Sequence, residues 1–272
     1  MERRIGIIGF GSMGSSIGER LSLKYRTIVF DKDESKLKDL IDIEVARDCV
    51  DLVNKVNILI LAVKPQDFDN LLIEIKDYIK DKLIISVAAG ITTVYIEKYL
   101  GKVRVMRTMP NLPVKVGEGV ICLCKGKSAT TRDLIFIKGL FKSLGKVLIV
   151  KEEMMNKVTV ISGCGPAYLY DWAESKSMEE VKDYAKTTFI PHLTEAAKAI
   201  GFSFRQARLL VRKTAEGSIA LLEKTNFSPE DLKRQVASRG GVTEAALEVL
   251  HKGKTLTEAV RTALRRAEDL SK

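Results

Sequence analysis

Two short segments of this chain carry residue types suited to holding a charged ligand. One is SRGGVT, Ser238 to Thr243, set between a helix-like run from Pro229 to Ala237 and another from Thr243 to His251. Two adjacent glycines inside a helical pattern cost on the order of 2 kcal/mol relative to alanines, so the break has to serve something. Gly240 and Gly241 carry no β-carbon, and the loop opens onto a new helix N-terminus. Backbone N–H groups at such a terminus form a fixed site for an anion such as a carboxylate. Ser238, Arg239, Gly240, Gly241, Val242 and Thr243 are therefore the candidate substrate-binding residues. Thr243 stands at the helix start, where its hydroxyl could cap the helix or reach a bound ligand. The plain alternative is a turn between two helices, capped by Ser or Thr, that holds nothing.

The other segment is GFGSMG, Gly9 to Gly14, directly after the apolar run RRIGIIGF and before an amphipathic run to Leu23. Strand, tight glycine turn and helix is the context in which this spacing reads as a dinucleotide fingerprint. Gly9 makes the turn, Gly11 lets the backbone approach a pyrophosphate, and Gly14 lets the helix pack closely on the strand. The N–H groups of Ser12 and Met13, next to Phe10 and Gly11, then face the phosphates at the positive end of the helix. The run RTIVFD ends in Asp31, placed to hydrogen-bond both ribose hydroxyls of an adenosine. That carboxylate would repel a ribose 2′-phosphate and so favours NADH slightly over NADPH, while Lys32 and Lys36 follow closely and offset it.

These segments need a scaffold, and the first half alternates strands and helices. Asn57 to Pro65 and Lys82 to Gly90 are continuous apolar runs stopped by Pro or Gly, as in parallel strands buried on both faces. Further strands are expected at Val103 to Thr108, Gly119 to Cys124 and Lys146 to Val150, with a helix at Ala129 to Leu144. Such alternation implies a mostly parallel, doubly wound Rossmann-type sheet whose ligands sit at the carboxyl ends of its strands. Ala62, Val63, Lys64 and Pro65, then Ala88, Ala89 and Gly90, then Met109, Pro110 and Asn111 all fall at such ends and should line one crevice. Together with the glycine turn and Asp31 they are the candidate cofactor-binding residues; Met109 and Pro110 mark the junction at Asn111.

From Glu152 onward the pattern is helical, broken at Gly163 to Pro166, near Pro191, at Gly201, around Pro229 and at Arg239 to Gly241. The expected fold is therefore α/β, with a doubly wound N-terminal sheet followed by an all-helical C-terminal domain. The boundary is expected near Lys151: residues 1–151 bind the dinucleotide, and residues 152–272 bind substrate and form the dimer contact. The apolar faces of the helical half exceed what a small domain buries alone, which calls for a second copy.

At 272 residues with a formal net charge of +10, the chain has length for two cores and a basic balance open to anionic ligands. Its Lys and Arg are interleaved with acids along the chain, which reads as a solvated surface rather than a nucleic-acid face. The Arg-rich RTALRRAEDL near the C-terminus looks like an exposed helix face. No apolar run reaches membrane-spanning length, and no signal-peptide pattern opens the sequence. Cys49, Cys122, Cys124 and Cys164 lack zinc-type pairing and read as buried reduced thiols of a cytoplasmic protein, with no metal expected.

Taken in order, IGIIGFGSMG, LAVKPQ, SVAAGIT, VRVMRTMPNLPVKVGEG, LFKSLGKV, ISGCGPAY and ASRGGVTEAAL resemble the pyrroline-5-carboxylate reductases over nearly the whole chain. The resemblance implies reduction of the cyclic imine 1-pyrroline-5-carboxylate to L-proline with NAD(P)H, the last step of proline biosynthesis. It implies that Thr243 faces the substrate nitrogen as the catalytic contact and that the loop amides hold the substrate carboxylate. It also implies dimers interlocked through the helices, each site using loops from both chains, and often larger assemblies. Four features depart from the family pattern: Arg239 in place of Pro, Val242 in place of Thr or Ala, Cys164 in place of Ser, and a longer segment at Glu174 to Leu193. A 3-hydroxyacid dehydrogenase of similar plan would need a Lys four residues after GCGP's second glycine, where Leu169 stands. His192 and His251 lie outside every motif and are expected to be structural.

Overall fold

Short runs of β-branched and aliphatic residues form an eight-stranded sheet in the computed structural model, which describes residues 3–271. Met1, Glu2 and Lys272, the outer ends of the two expected domains, lie outside it. The strands are β1 (Arg4–Ile8), β2 (Arg26–Phe30), β3 (Ile43–Val45), β4 (Ile58–Leu61), β5 (Leu83–Ser86), β6 (Arg104–Pro110), β7 (Gly119–Lys125) and β8 (Gly145–Ile149). Their order is β3-β2-β1-β4-β5-β6-β7-β8, parallel throughout except where β7 runs against β6. The order reverses between β1 and β4, so a crevice opens at the carboxyl ends there. The central strands β4 and β5 are buried along their whole length, as their unbroken apolar runs require.

Five helices cover the sheet: α1 (Ser12–Ser22), α2 (Cys49–Lys55), α3 (Phe68–Ile75), α4 (Thr93–Leu100) and α5 (Thr131–Leu140). They form two apolar layers, one around Ile7, Ile17, Ile60 and Phe141, the other around Leu52, Leu59, Phe68 and Ile84. The expected helix to Leu144 ends earlier, its last turn tightening to a 3-10 form at Phe141–Leu144. β3 was not expected; with three residues, two half-buried and one exposed, it has too little periodicity to stand out.

The second half follows as α6 (Met155–Val158), α7 (Gly165–Ala173), α8 (Met178–Tyr184), α9 (Ile190–Ala199), α10 (Phe204–Lys224), α11 (Pro229–Val236), α12 (Val242–His251) and α13 (Leu256–Asp269). One of its expected breaks is absent. Between α6 and α7 a π-helical turn at Thr159–Gly163 ends in a bend at Cys164, inside the expected break, whereas another at Ala185–Phe189 carries α8 into α9 past Pro191. A proline after a wider turn costs little, since its missing N–H falls at the first position of the next segment. A break that the pattern did not signal lies at Glu174–Ser177. There Ser175 takes a left-handed backbone (φ +62°), and Ser177 with Glu180 forms a reciprocal cap on α8. The helical half closes a core around Tyr168, Leu193, Leu210 and Val260 that also takes in Met109, Val120, Cys122 and Cys124 from β6 and β7. Among the described residues its exposed large hydrophobic side chains are Phe204, Phe227 and Leu270, and Trp172, Tyr184, Ile190, Leu222, Leu250, Leu256 and Leu264 are only partly buried.

The two halves are pinned at Glu152. Its carboxylate accepts the Thr93 N–H at 2.7 Å and the Thr93 hydroxyl, and pairs with Arg107 at 3.4 Å. Arg107 is 2% exposed, and its Nε and Nη2 have no partner. Burial lowers its pKa and the Glu152 charge opposes that shift. Replacing Glu152 by Ala leaves this guanidinium buried without its counter-charge, a change expected to destabilise by about 3 kcal/mol. Urea unfolding of Glu152→Ala against the wild type measures it, and a midpoint that does not move refutes the pin.

Candidate active site

The glycine turn between β1 and α1 is shaped as a cradle. Gly9 has φ +93°, and a β-carbon there would meet the Ala62 carbonyl at 2.7 Å. A β-carbon on Gly14 would lie 1.9 Å from the Gly9 carbonyl oxygen, whereas one on Gly11 would meet nothing within 4 Å. Gly11 therefore faces open space at the start of α1, which no side chain caps. The free N–H groups of Ser12 and Met13 sit at that positive end. These residues fit a pyrophosphate. Phe10 contributes its backbone: the ring is buried against Gly18, and its N–H donates to Asp31 Oδ2 at 2.7 Å.

Asp31 is 8% exposed and also accepts from Asp33 N at 2.9 Å and Lys36 Nζ at 3.1 Å. Burial disfavours its charge, but these three donors prevail and hold its pKa below the ordinary carboxylate value. It lines a cavity of about 450 Å³ with Gly9, Gly11, Ala62, Val63 and Lys64. Ala88 is buried in the core behind this edge and lines neither cavity.

A second cavity, of about 650 Å³, lies where the carboxyl ends of β4, β5 and β6 meet the helices. Ser12, Met13, Pro65, Ala89, Gly90 and Asn111 line its sheet side, and all of Ser238 to Thr243 lines the other. Asn111 serves mainly as a brace. Its Oδ1 accepts Val120 N–H at 2.7 Å, and its Nδ2 donates to Ser162 Oγ at 3.3 Å, which accepts from Thr214 at 3.1 Å. A larger hollow of about 690 Å³, bordered by Lys138, Lys142 and Lys146, is lined by none of the candidate site residues.

Within the loop, Gly240 needs its left-handed backbone (φ +68°) to turn the chain. A β-carbon on Gly241 would strike Ser238 Oγ at 2.3 Å, so this glycine is demanded by the turn itself rather than by ligand space. The loop amides are not all free, as the sequence reading supposed. Gly240 N–H donates to Glu244 and Gly241 N–H to Ser238 O, at 2.5 and 2.9 Å. Those of Val242 and Thr243 open α12, which has no side-chain cap. Thr243 is 5% exposed, and its hydroxyl donates to Cys164 Sγ at 3.2 Å instead of capping the helix. Burial pushes the Cys164 thiol up to about 11, so it stays protonated at neutral pH. Arg239 is exposed at the cavity wall. Among the described residues lining this cavity there is no carboxylate, lysine, histidine or tyrosine side chain.

Comparison with known proteins decides the family. A model for pyrroline-5-carboxylate reductase dimerisation matches residues 185–272, and one for NADP oxidoreductase, coenzyme F420-dependent, matches residues 4–90. A pyrroline-5-carboxylate reductase of Synechocystis is 30% identical over 283 residues, spanning 100% of each chain. The chain belongs to the pyrroline-5-carboxylate reductase family. A solved pyrroline-5-carboxylate reductase from Coxiella burnetii aligns over 100% of both chains at 29% identity with a TM-score of 0.66. The Plasmodium falciparum pyrroline carboxylate reductase, solved with NADP bound, aligns at 27% identity over 99% of this chain and 98% of its own, TM-score 0.65. Membership brings NAD(P)H-dependent oxidoreduction and, through the dimerisation segment, homo-oligomerisation.

Several residues lining this cavity escaped the sequence reading. Arg266, placed on a solvent face by pattern, donates to Gly240 O from Nε and Nη2 at 3.0 and 2.6 Å and lines the cavity. Asn156, Thr159 and Gln235 line it too, with no motif to mark them. Both histidines lie elsewhere: His192 is exposed, and His251 bonds Asp171 at 3.0 Å. No helix among the described residues is long and apolar enough to cross a membrane, and no His, Cys, Asp or Glu cluster there could hold a metal. Because Gly11 faces open space, Gly11→Val is expected to fold normally and to lose dinucleotide affinity by at least about tenfold, roughly 1.4 kcal/mol. Fluorescence titration with NADH, beside circular dichroism, checks both halves, and unchanged affinity in a folded variant refutes the cradle.

Proposed function

We propose that this chain reduces 1-pyrroline-5-carboxylate to L-proline, with residues 1–151 holding the dinucleotide and residues 152–272 holding substrate and dimer contacts. The observation that carries this is the pairing of an uncapped helix terminus and Arg239 with a cavity free of carboxylate side chains, directly beside the glycine turn. Such a site suits an anionic substrate whose reacting atom needs no strong protein acid. Bound reduced nicotinamide supplies a hydride. The protein's own work is then to anchor and orient. The N–H groups of Val242 and Thr243, with Arg239, fix the carboxylate, and Thr243 Oγ1 faces the ring nitrogen. Met109, Pro110, Leu112 and Val242 wall off water. The nitrogen enters carrying its proton as an iminium, so hydride addition at carbon yields the amine with no further proton.

The same reading puts the protein in the cytoplasm, with support from its four free buried cysteines. It also takes the homodimer to form through the helical half. NADH is the proposed reductant in preference to NADPH. The Asp31 charge is fixed by Phe10 and Asp33 amides and cannot swing away from a 2′-phosphate, while Lys36 neutralises part of it.

Turnover assays test the substrate. Pyrroline-5-carboxylate is expected to react well, an unsubstituted cyclic imine poorly and a 3-hydroxyacid not at all; activity on the hydroxyacid alone overturns the reading. Thr243→Ala should lower kcat/KM by about 10- to 100-fold, about 1.4–2.7 kcal/mol. Arg239→Ala should raise KM while leaving kcat unchanged, since its contact is with the carboxylate and not the reacting bond. For the cofactor, kcat/KM with NADH should exceed that with NADPH several-fold, and Lys36→Ala should widen the gap. A clear NADPH preference removes the Asp31 argument.

A further inference from the structure

The loop from Ser238 to Thr243 hangs between α11 and α12, and both helices are tied to a third, α7. Asp171, near the end of α7, accepts Lys233 Nζ of α11 at 3.0 Å. It also accepts His251 Nε2 of α12, at 3.0 Å to each carboxylate oxygen. A carboxylate only accepts, so the His251 proton on this side sits on Nε2. One side chain therefore holds both the helix that enters the loop and the helix that leaves it. Lys233 pairs with Glu174 as well, and the Lys233 and Asp171 side chains are 19% and 17% exposed. Burial opposes the Lys233 charge, yet the two carboxylates outweigh it and hold its pKa above the ordinary value. At the other end of α7, Cys164 stands directly before the first turn, and its sulfur accepts the Thr243 hydroxyl at 3.2 Å.

These contacts set a register that apolar packing leaves open. α11 buries a single side chain, Leu232, in a small cluster with Tyr170 of α7. One non-directional contact lets a helix slide or turn, and the adjacent Lys233–Asp171 pair does not. α12 packs chiefly on α13 and meets α7 only sparsely. Its polar ties to α7 lie at its two ends, Thr243 on Cys164 and His251 on Asp171. At about 1.5 Å of rise per residue, the attachment points on each helix are about 10–12 Å apart, so α12 lies along α7 start to start. A slip of α12 by one residue rotates it by about 100° and carries Thr243 out of the cavity.

We infer that Asp171 and Cys164 are positioning residues of the reaction: from the two ends of α7 they fix the spacing of the helices that flank the substrate loop and the place of the Thr243 hydroxyl. Asp171 does not line the cavity and acts through α11 and α12; Cys164 lines it and acts through Thr243. This rests on the proposed roles of the loop amides and Thr243. Hydride transfer needs its reacting atoms within about 3–3.5 Å, and a misplacement of about 1 Å costs on the order of 100-fold. Lys233 and His251, outside every motif, thereby take part in substrate binding at a distance.

Steady-state kinetics of variants test it, each checked for folding by circular dichroism. Asp171→Ala is expected to raise KM for pyrroline-5-carboxylate about 5- to 10-fold while KM for NADH stays unchanged, because the dinucleotide half is untouched. An unchanged KM for the imine, or an equal loss of NADH affinity, overturns the assignment. If Asp171→Ala does not fold, His251→Ala removes one tie from an exposed residue. It is expected to raise the same KM about 2- to 3-fold, and no change overturns the Asp171 half. Cys164→Ala is expected to lower kcat about tenfold, and Cys164→Ser, whose hydroxyl also accepts from Thr243, to restore most of it. In a Thr243→Ala background, Cys164→Ala should cost no further kcat, since the group it places is gone. An additive loss marks a structural role alone and overturns the inference. Thr243→Ala with wild-type turnover would discard the loop's role and this inference with it. A damaged Thr243→Ala beside inert Asp171→Ala and Cys164→Ala sinks this inference and leaves the proposed function standing.

Discussion

A buried cation whose counter-charge comes from the other half of the chain sets the position of everything at this site. Arg107 lies on β6, inside the protein, and Glu152 reaches it from the first turn of the helical half while also holding the start of α4 at Thr93. Water cannot replace either partner at low cost, so the helical half has one favourable seating on the sheet. Four residues beyond Arg107, directly after the end of the same strand, stands Asn111, whose carboxamide joins β7 to the π-helical turn. The crevice at the sheet edge and the helical wall opposite it are therefore registered by polar groups inside the seam. Apolar packing alone is less selective, because hydrophobic contact is not directional.

The cavity's electrostatics follow a matching logic. Its ionisable side chains are Arg239, Arg266 and the protonated thiol of Cys164, so it offers positive charge to an anion and no group that titrates near neutral pH. Arg266 spends its guanidinium on the Gly240 carbonyl, holding the loop in its turn, while Arg239 stays at the open wall. The one hydroxyl proposed to face the substrate has its proton directed to sulfur. Its lone pairs are thereby left for an N–H donor, which suits an iminium better than a neutral imine.

Features governed by local chemistry were legible in the sequence. The glycines at 9, 11 and 14 have spacing that only a strand–turn–helix cradle explains, and the buried strands β4 and β5 announce themselves as unbroken apolar runs. The break at Gly240 and Gly241 was placed correctly, because a left-handed turn and a contact with Ser238 exclude side chains there. What stayed hidden depends on tertiary context. Arg266 sits in a pattern identical to that of a solvated helix face, and only the approach of α12 gives it a carbonyl to bind. Pro191 reads as a stop, yet a wider helical turn before it carries the coil onward. β3 is too short to have a period, and the turn at Ser175 contains no Gly or Pro to mark it.

The separation along the chain between the glycine turn and α13 has a temporal consequence. Arg266, Leu270 and Ser271 hold the loop, the rim at Gly90 and the side chain of Asn156. During synthesis, the glycine cradle and the strand order around it are complete well over a hundred residues before these contacts emerge from the ribosome. A nascent chain can thus acquire its dinucleotide-binding half early, but it cannot shape the substrate pocket until α13 has cleared the exit tunnel. The pocket is thus completed later in synthesis than the dinucleotide-binding half, and a protease that cuts within α13 would remove the pocket while sparing the sheet.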